Sequence, residues 1–361
     1  MKTPPLLRFA ALITLLVATS IAETPGELRI RAEQGDAKAQ AALGRLYALG
    51  EGVALDYSVA FEWFTKAAIQ GDAKAQNSLG VCHGFGKGTV KDEAKAALWF
   101  RKAAEQNFAD GQVNLGFCYA TGAGVKADMS EAVKWYTKAA EQGNAKAQTL
   151  LGSCYALGNG VGKDEELAVA WYRKSAAQGD AAGQFKLGIC LEMGSGVSQD
   201  ATEAAVWYRR ASDLGLPRAQ RALGLCFLFG KGVDKNEAEA VALLRKASEQ
   251  GDSEAQSALG DCYLNGSGVA LDVPEAIKWL RQAAEQGDSQ AQKNLGGCYV
   301  IGKGVLKDMV EGYKWLNLAA AQGDQAAEEL RETLERAMTP TQIEEAQKKS
   351  RDWEPNPQAG R

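Results

Sequence analysis

The chain has 361 residues and nearly balanced charge, with 41 Lys and Arg against 45 Asp and Glu and a formal net charge of −4. Length alone predicts two or three domains. The balanced charge argues against nucleic acid and against acidic membrane surfaces as partners. Charged residues are interspersed along the chain, which is typical of solvated helical surfaces.

Residues 1–22 have the features of a signal peptide. A positively charged start precedes a ten-residue apolar run at 9–18, and the small residues Ser20 and Ala22 predict cleavage before Glu23. The run is too short to span a bilayer, so we expect an exported mature chain without stable membrane insertion. Its compartment would be the periplasm or exterior of a bacterium, or the secretory lumen of a eukaryote. An uncleaved anchor is the alternative.

The chain then repeats itself every 36 residues. Eight Leu-Gly pairs mark the repeats, and around each the frame A-Q-x-x-L-G-x-C-Y-x-x-G-x-G-V-x-x-D-x-x-x-A-x-x-W-Y returns without insertion. A fixed period of this length predicts a repeat architecture in place of separate globular domains. The eight predicted repeats within residues 36–323 are 36–71, 72–107, 108–143, 144–179, 180–215, 216–251, 252–287 and 288–323.

Each repeat predicts two helices. The first begins at the Asp or Asn of a Gly-Asp or Gly-Asn pair, such as Asp72 or Asn144, and ends at the first glycine of G-x-G-V. The second helix begins at a recurring Asp or Asn, such as Asp164. In five repeats a Glu three residues later predicts a capping box. These glutamates are Glu131, Glu203, Glu239, Glu275 and Glu311.

The sequence predicts a capping segment at each end of the repeat array. Residues 23–35 form an N-terminal capping segment, in which Leu28–Gln34 is expected to be a remaining second helix. Residues 324–361 form a C-terminal helical cap and tail. Within the cap we expect helices over 324–338 and 343–353, the latter opened by a Thr-Pro-Thr-Gln cap. The last eight residues are expected to fray.

This frame resembles the Sel-one-like repeat family, a relative of the tetratricopeptide repeats, over 288 of the 361 residues. Residues 151–177 match A-x-x-L-G-x-x-Y-x-x-G-x-G-V-x-x-D-x-x-x-A-x-x-W-Y/F-x-K-A from its Leu-Gly onward, with Ser175 as the one departure. The resemblance implies an all-α, right-handed α-solenoid of stacked helix pairs. Stacking is physically required, because one helix pair cannot bury its apolar stripe alone.

Seven cysteines occupy one position of the frame, which Leu46 fills in the first repeat. Equivalent positions on stacked helices lie roughly 8–10 Å apart, beyond the reach of about 7 Å that a disulfide allows. Disulfide-rich relatives carry two cysteines per repeat, whereas this chain carries one. We therefore expect no disulfides and interpret the thiols as small buried hydrophobes. The seven are Cys82, Cys118, Cys154, Cys190, Cys226, Cys262 and Cys298.

Motifs for catalysis, cofactors and metals are missing from the sequence. Two glycine-rich loops resemble phosphate loops, but Gly88 and Gly232 stand where Ser or Thr must follow Lys. His83 is the single histidine, which we interpret as a packed ring, and no C-x-x-C or G-x-S-x-G occurs. We predict no catalytic residue, cofactor or metal. Some relatives are linked to penicillin-like ligands, so β-lactam binding or hydrolysis is an alternative, although S-x-x-K is also missing.

The first helices carry a variable stripe. With the Leu-Gly glycine as position zero and 100° per residue, the shared residues lie on one face and positions −3, −2, +1, +4 and +5 lie between about 40° and 160°. In repeats two to six this stripe is rich in apolar residues, whereas repeats seven and eight turn polar. The apolar residues are Phe85, Val113, Phe117, Phe185, Ile189, Met193, Leu225 and Phe229.

By resemblance to tetratricopeptide-like solenoids, the first helices line a concave groove. Contiguous exposed apolar surface usually marks a binding site. The sequence therefore predicts an exported, non-enzymatic scaffold or adaptor that binds a protein or peptide segment in that groove. Two alternatives stay open: the stripe is core in a tightly wound superhelix, or the protein binds envelope glycans, for which Asp261 beside Tyr263 is the one indication.

Overall fold

The computed structural model describes residues 24–356, so the predicted signal peptide lies outside the described residues. Within that range the chain forms nineteen α-helices and no strand. The two helices of a repeat pack against each other, as α2 does with α3 and α16 with α17. The helices are α1 Pro25–Glu33, α2 Ala37–Leu49, α3 Tyr57–Ile69, α4 Ala73–Phe85, α5 Glu93–Glu105, α6 Ala109–Thr121, α7 Met129–Glu141, α8 Ala145–Leu157, α9 Glu165–Ala177, α10 Ala181–Met193, α11 Ala201–Asp213, α12 Pro217–Phe229, α13 Glu237–Glu249, α14 Ser253–Asn265, α15 Val273–Glu285, α16 Ser289–Ile301, α17 Met309–Ala321, α18 Gln325–Glu335 and α19 Pro340–Arg351.

The predicted helix limits are confirmed. Asn144 accepts the N–H of Ala147 at 2.9 Å to begin α8, and Asp164 accepts the N–H of Leu167 at 2.8 Å to begin α9. Gly158 ends α8 in the left-handed conformation, with φ 71°, and donates to the carbonyl of Cys154. Side-chain oxygens thus satisfy N–H groups at the helix starts, and left-handed glycine closes the first helix of the pair.

The five predicted capping boxes are wrong. The helix starts do bond Asp or Asn to the backbone N–H of the glutamate, as between Asp128 and Glu131. The glutamate carboxylate does not accept from the backbone N–H of the cap, although Glu239 accepts from the side-chain amide of Asn236 at 3.4 Å. In α7 the Glu131 carboxylate accepts from Lys134 at 2.8 Å instead, because an ammonium one turn later is a charge-assisted donor. Among the described residues, complete boxes form at Thr24 and Thr339.

The shared face of the first helices is the core. Leu187 and Leu223 are fully buried there, and the cysteine of repeats two to eight is also buried. The Leu-Gly glycine allows the two helices of a repeat to approach closely. A Cβ on Gly188 would lie 2.5 Å from the Tyr208 ring of α11. The recurring glycine is therefore required by packing.

A ladder of glutamine pairs joins neighbouring helices. In seven repeats the Gln that follows the second helix donates Nε2 to the Gln of the first helix, as Gln178 does to Gln148 at 2.8 Å. The fifth repeat breaks the ladder, because Leu214 replaces the donor. Gln184 consequently keeps a buried Oε1 without a hydrogen-bond partner. An unsatisfied buried acceptor destabilises the fold.

We expect Leu214→Gln to stabilise the protein. The new Nε2 would donate to Gln184 as in the other repeats, and it would replace a leucine that is 58% exposed. The gain should be about 1 kcal/mol in the free energy of unfolding, measured by urea titration. Leu214→Ala is the control, because it removes the leucine without supplying a donor. Equal unfolding midpoints for the two variants would contradict the prediction.

The C-terminal tail is partly ordered. The backbone N–H of Asn356 donates to the carbonyl of Glu285 at 2.8 Å, and the Trp353 ring lies 6.1 Å from the Trp315 ring, edge to face. Trp353 and Asn356 thus contact the preceding helices, and the fraying expected for residues 354–361 stays a prediction. Residues 357–361 lie outside the described range.

The described chain divides into two compact units. The first comprises residues 24–111 and 123–125, and its core includes Phe64 and Leu79. The second comprises residues 112–122 and 126–356, with a core that includes Leu187. The site described next lies entirely in the second unit.

Candidate functional site

The structure separates the predicted stripe residues by exposure. Four are clearly exposed: Phe85 at 74%, Phe117 at 56%, Met193 at 72% and Phe229 at 64%. Phe185, Ile189 and Leu225 are half-buried. Val113 is 3% exposed and belongs to the core, so the expectation of an exposed side chain is wrong there. Phe85 lies in the first unit, and the other seven lie in the second.

Side chains at position −3 of the first helix can contact the next repeat. This contact explains why Val113 is buried. In other repeats this side chain reaches the capping Asp of the next first helix. Thr149 donates to Asp180 at 2.9 Å, and Lys293 lies 3.3 Å from Asp324. The side chain at −3 therefore links successive repeats.

Phe185 occupies this stacking position in the fifth repeat. The capping residue 31 positions later is Leu216, which makes no side-chain cap hydrogen bond. Both members of the usual polar pair are thus apolar here, and the Phe185 ring lies 5.7 Å from the Tyr208 ring. At this junction between the fifth and sixth repeats, beside the site, apolar side chains replace the polar pair found at other junctions.

Five of the predicted residues line one cleft between α10 and α12, which we call the apolar cleft. Its volume is about 690 Å³, and part of α11 also lines it. The helix frame brings these side chains together because they occupy equivalent positions one repeat apart. The five residues are Phe185, Ile189, Met193, Leu225 and Phe229.

Charged side chains also line the apolar cleft. Arg218 and Lys231 are exposed and form no ion pair within the described range. Arg221 is engaged, since it lies 3.0 Å from Asp252 and also contacts Glu254. Glu192 accepts a hydrogen bond from the Tyr208 hydroxyl at 2.7 Å. The cleft is therefore apolar, with one carboxylate, Glu192, and with two cations that have no acidic partner among residues 24–356.

A second cleft follows along α12, α14 and α16, with a volume of about 900 Å³; we call it the acidic cleft. It shares Leu225 and Phe229 with the apolar cleft. Glu254, Asp261 and Asp288 supply its acids. Lys235 and Glu237 also line it, but their charges offset each other at 2.7 Å.

Asp261 is the most perturbed acid of this cleft. Burial raises the pKa of its carboxyl from 3.8 to about 6, although Asn294 donates to it at 2.5 Å and Lys293 opposes the shift. Asp288 adds to the shift by like-charge repulsion. Burial also raises the pKa of Asp288, which caps α16 by accepting from Ala291 at 2.7 Å. Two desolvated carboxylates thus face one cleft.

The thiols and the histidine are packing groups. All seven cysteines fall within residues 24–356, are buried and form no disulfide. Burial raises the pKa of Cys82, Cys226 and Cys262 to about 11, so these thiols are protonated at neutral pH and are poor nucleophiles. His83 packs edge-on against Phe61 at 5.4 Å, and burial lowers its pKa.

Tryptophans of the second helices have cations over their rings. The Lys102 ammonium lies 3.9 Å from the centre of Trp99, and Lys174 lies 4.0 Å from the centre of Trp171. A sugar ring stacking there would have to displace the ammonium group, so these aromatics do not favour the glycan alternative.

Within residues 24–356, no cluster of three or more His, Cys, Asp and Glu side chains is arranged to hold a metal ion. No helix in that range has the length and apolar character needed to cross a membrane.

The sequence prediction missed the charged part of this site. Arg218 and Glu254 occupy position −6 of their repeats, which falls near 120° on the helix and therefore on the same face as the variable stripe. Lys38 and Gln290 occupy the same position elsewhere, so this position also varies between repeats. Extending the comparison between repeats by one helical turn toward the start of the first helix would have identified both charged residues.

The fold and the site define an all-helical tandem-repeat protein of the α-solenoid class. The family model described as Sel1 repeat matches eight times, and the chain belongs to the Sel1 repeat family. Its members are generally non-catalytic scaffolds, and the repeat is a protein-interaction module. The matched residues are 37–72, 73–108, 109–144, 145–180, 181–216, 217–252, 253–288 and 289–324.

Solved structures agree with this family. The chain is 32% identical to a Sel1 repeat protein from Oxalobacter formigenes, with a TM-score of 0.61 over 86% of this chain and 94% of that chain. It is 33% identical to a protective antigen of uropathogenic Escherichia coli strains that displays an SLR fold, with a TM-score of 0.48 over 92% and 88% of the two chains. A comparison with curated proteins finds no match.

Proposed function

We propose that the protein is an exported, non-enzymatic adaptor that holds a peptide or protein segment of a partner in the apolar cleft. The observation that supports this most is the exposure of Met193 and Phe229, at 72% and 64%, beside Ile189 and Leu225 in one cleft. Such a group of apolar side chains rarely stays in water unless a partner covers it. A non-enzymatic role is supported by the protonated, buried thiols and the packed imidazole of His83.

We expect Met193→Asp/Phe229→Asp to lose the partner. A charge at each anchor would have to be desolvated on binding, and truncating one central anchor typically costs about 2 kcal/mol, roughly 30-fold in affinity. The measurement is a cross-linked pull-down from the secreted or envelope fraction, quantified by mass spectrometry. Far-ultraviolet circular dichroism checks that the variant keeps its helices.

The matched control is Leu271→Asp/Leu306→Asp. These leucines are 62% and 91% exposed and lie in turns outside both clefts, so the control makes the same change of charge and apolar area. A specific partner should be captured by the wild type and by the control. Retention of that partner by the cleft variant would show that binding uses another surface.

Export rests on residues 1–22 and has a separate test. When the full chain is produced in a host that secretes it, the mature protein should begin at Glu23 and intact-mass measurement should show the loss of residues 1–22. Ala22→Arg should block cleavage, because the −1 position requires a small side chain. An unprocessed wild-type chain in the cytosolic fraction would contradict export.

A further inference from the structure

The apolar and acidic clefts form one continuous surface of the second unit. They share Leu225 and Phe229, and together they extend over the first helices α10, α12, α14 and α16. A segment that binds in one cleft can therefore continue into the other without leaving the surface. The cations Arg218 and Lys231 lie at the two ends of α12, and the acids lie on α14 and at the start of α16.

The charges of the apolar cleft are available to a ligand. Arg218 and Lys231 are exposed and, within the described residues, have no acidic partner at ion-pair distance. Arg221 is paired with Asp252 and Glu254, whereas Glu192 accepts from the Tyr208 hydroxyl and keeps its negative charge, which leaves two cations unpaired within the described part of the chain against one anion. This end of the surface should attract a carboxylate.

The charges of the acidic cleft have the opposite sign. Of its three acids, Glu254 is paired with Arg221, which also contacts Asp252. Lys293, the cation beside Asp261, lies 3.3 Å from Asp324, so within the described residues Asp261 and Asp288 have no cation at ion-pair distance. Glu254 is exposed, whereas Asp261 and Asp288 are partly buried and repel each other. A cationic group in this cleft would offset their desolvation.

We propose that the two clefts bind an extended partner segment with an apolar or aromatic anchor, a Lys or Arg on one side of the anchor, and an Asp or Glu on the other. The anchor occupies the apolar cleft beside Phe229, the basic side chain reaches the acidic cleft, and the acidic side chain lies near Lys231, which follows Phe229 by two residues at the end of α12. This inference rests on the proposed function and specifies the chemistry of its partner.

The repeat spacing sets the expected spacing of the motif. Packed helices lie about 8–10 Å apart, and an extended chain advances about 3.3 Å per residue. The basic residue should therefore lie about three residues from the anchor. A helical segment would need about six residues for the same distance at about 1.5 Å per residue.

The test is a selection of random twelve-residue peptides on the immobilised mature protein, followed by fluorescence anisotropy on enriched peptides. We expect an apolar consensus with Lys or Arg about three residues to one side and Asp or Glu on the other. Asp261→Asn/Glu254→Gln should weaken binding of the basic peptide roughly ten-fold and leave its Lys→Gln analogue unchanged. Arg221 keeps Asp252 as a partner in this variant.

Asp213→Asn/Glu249→Gln is the matched control. It makes the same charge change at exposed positions on the second helices α11 and α13. Phe229→Ser should abolish binding of all selected peptides.

The possible results separate this inference from the proposed function. Peptides that require Phe229 but show no charge preference would overturn the motif and leave the adaptor function standing. Peptides that bind equally well to Phe229→Ser would overturn both. Failure to enrich any peptide would overturn the motif, while the pull-down still decides the adaptor function. An equal loss in the acidic-cleft variant and its control would show a general charge effect and overturn the motif.

Discussion

Gly196→Ala is expected to destabilise the protein by about 2 to 5 kcal/mol, because it combines backbone strain with a clash. Gly196 has φ +68°, where an L side chain is strained. A Cβ there would lie 2.2 Å from the carbonyl oxygen of Glu165, at the start of α9 in the preceding repeat. Backbone cannot move aside as a flexible side chain can, so the contact between repeats must open.

Gly194→Ala is the control for this prediction. Gly194 has a similar φ of +73°, but its added Cβ would meet no atom closer than 3.3 Å, the Cβ of Gln199. It should therefore cost only the left-handed strain, about 1 to 2 kcal/mol. Urea titration gives the total loss, and hydrogen exchange should localise the larger loss to the contact with α9. Equal destabilisation by the two variants would show that this backbone contact does not constrain the repeat.

This pair of glycines shows how far the sequence determines the fold. The 36-residue period, the capping Asp residues and the glycine turns were predictable because each depends on local backbone chemistry. The different roles of the two glycines in G-x-G-V were not predictable. Gly194 ends its own helix, whereas Gly196 is required by a carbonyl 31 residues earlier, and one repeat by itself does not reveal that contact.

The capping glutamates illustrate a second limit. Spacing predicted a reciprocal bond from Glu131 to its cap, but spacing does not rank competing donors. Lys134 is a charged donor within reach, and it binds the carboxylate instead. Local motifs therefore predicted where helices begin more reliably than which side chains bond there.

For the site, comparing the repeats predicted which face of the first helices forms the cleft. It predicted the contacts of single side chains on that face less reliably. Five of the eight stripe residues line the apolar cleft. Val113 does not, because position −3 contacts the next repeat, and helical periodicity does not distinguish a neighbouring helix from solvent. Whether Arg218 is paired and whether the pKa of Asp261 is shifted depend on the residues around them. Only the three-dimensional structure identifies those residues.

Departures from the frame cluster beside the apolar cleft. Leu214 breaks the glutamine ladder, Leu216 replaces a helix cap, and Phe185 replaces a polar stacking residue. Leu214 gives up a polar contact within the fifth repeat, and Phe185 with Leu216 gives up one between the fifth and sixth repeats. Proteins often tolerate such losses at functional sites, so this cluster is consistent with a binding surface at this junction.

Asp261→Asn is expected to stabilise the protein at neutral pH by about 1 to 3 kcal/mol. Burial raises the folded-state pKa of this carboxyl from 3.8 to about 6, so the folded protein holds the proton more tightly than the unfolded chain does. Below about pH 3.8 the carboxyl is protonated in both states and costs nothing. As the pH rises toward 6, only the unfolded state readily loses its proton, and stability falls.

The asparagine keeps the acceptor for Asn294 and removes the titration. The difference in unfolding free energy, variant minus wild type, should therefore be near zero at about pH 3 and grow to its full value above about pH 6. A flat difference across that range would mean that Asp261 carries no penalty. If the stabilised variant also loses the preference for basic peptides, an ionised Asp261 is retained at the expense of stability because a ligand requires its charge.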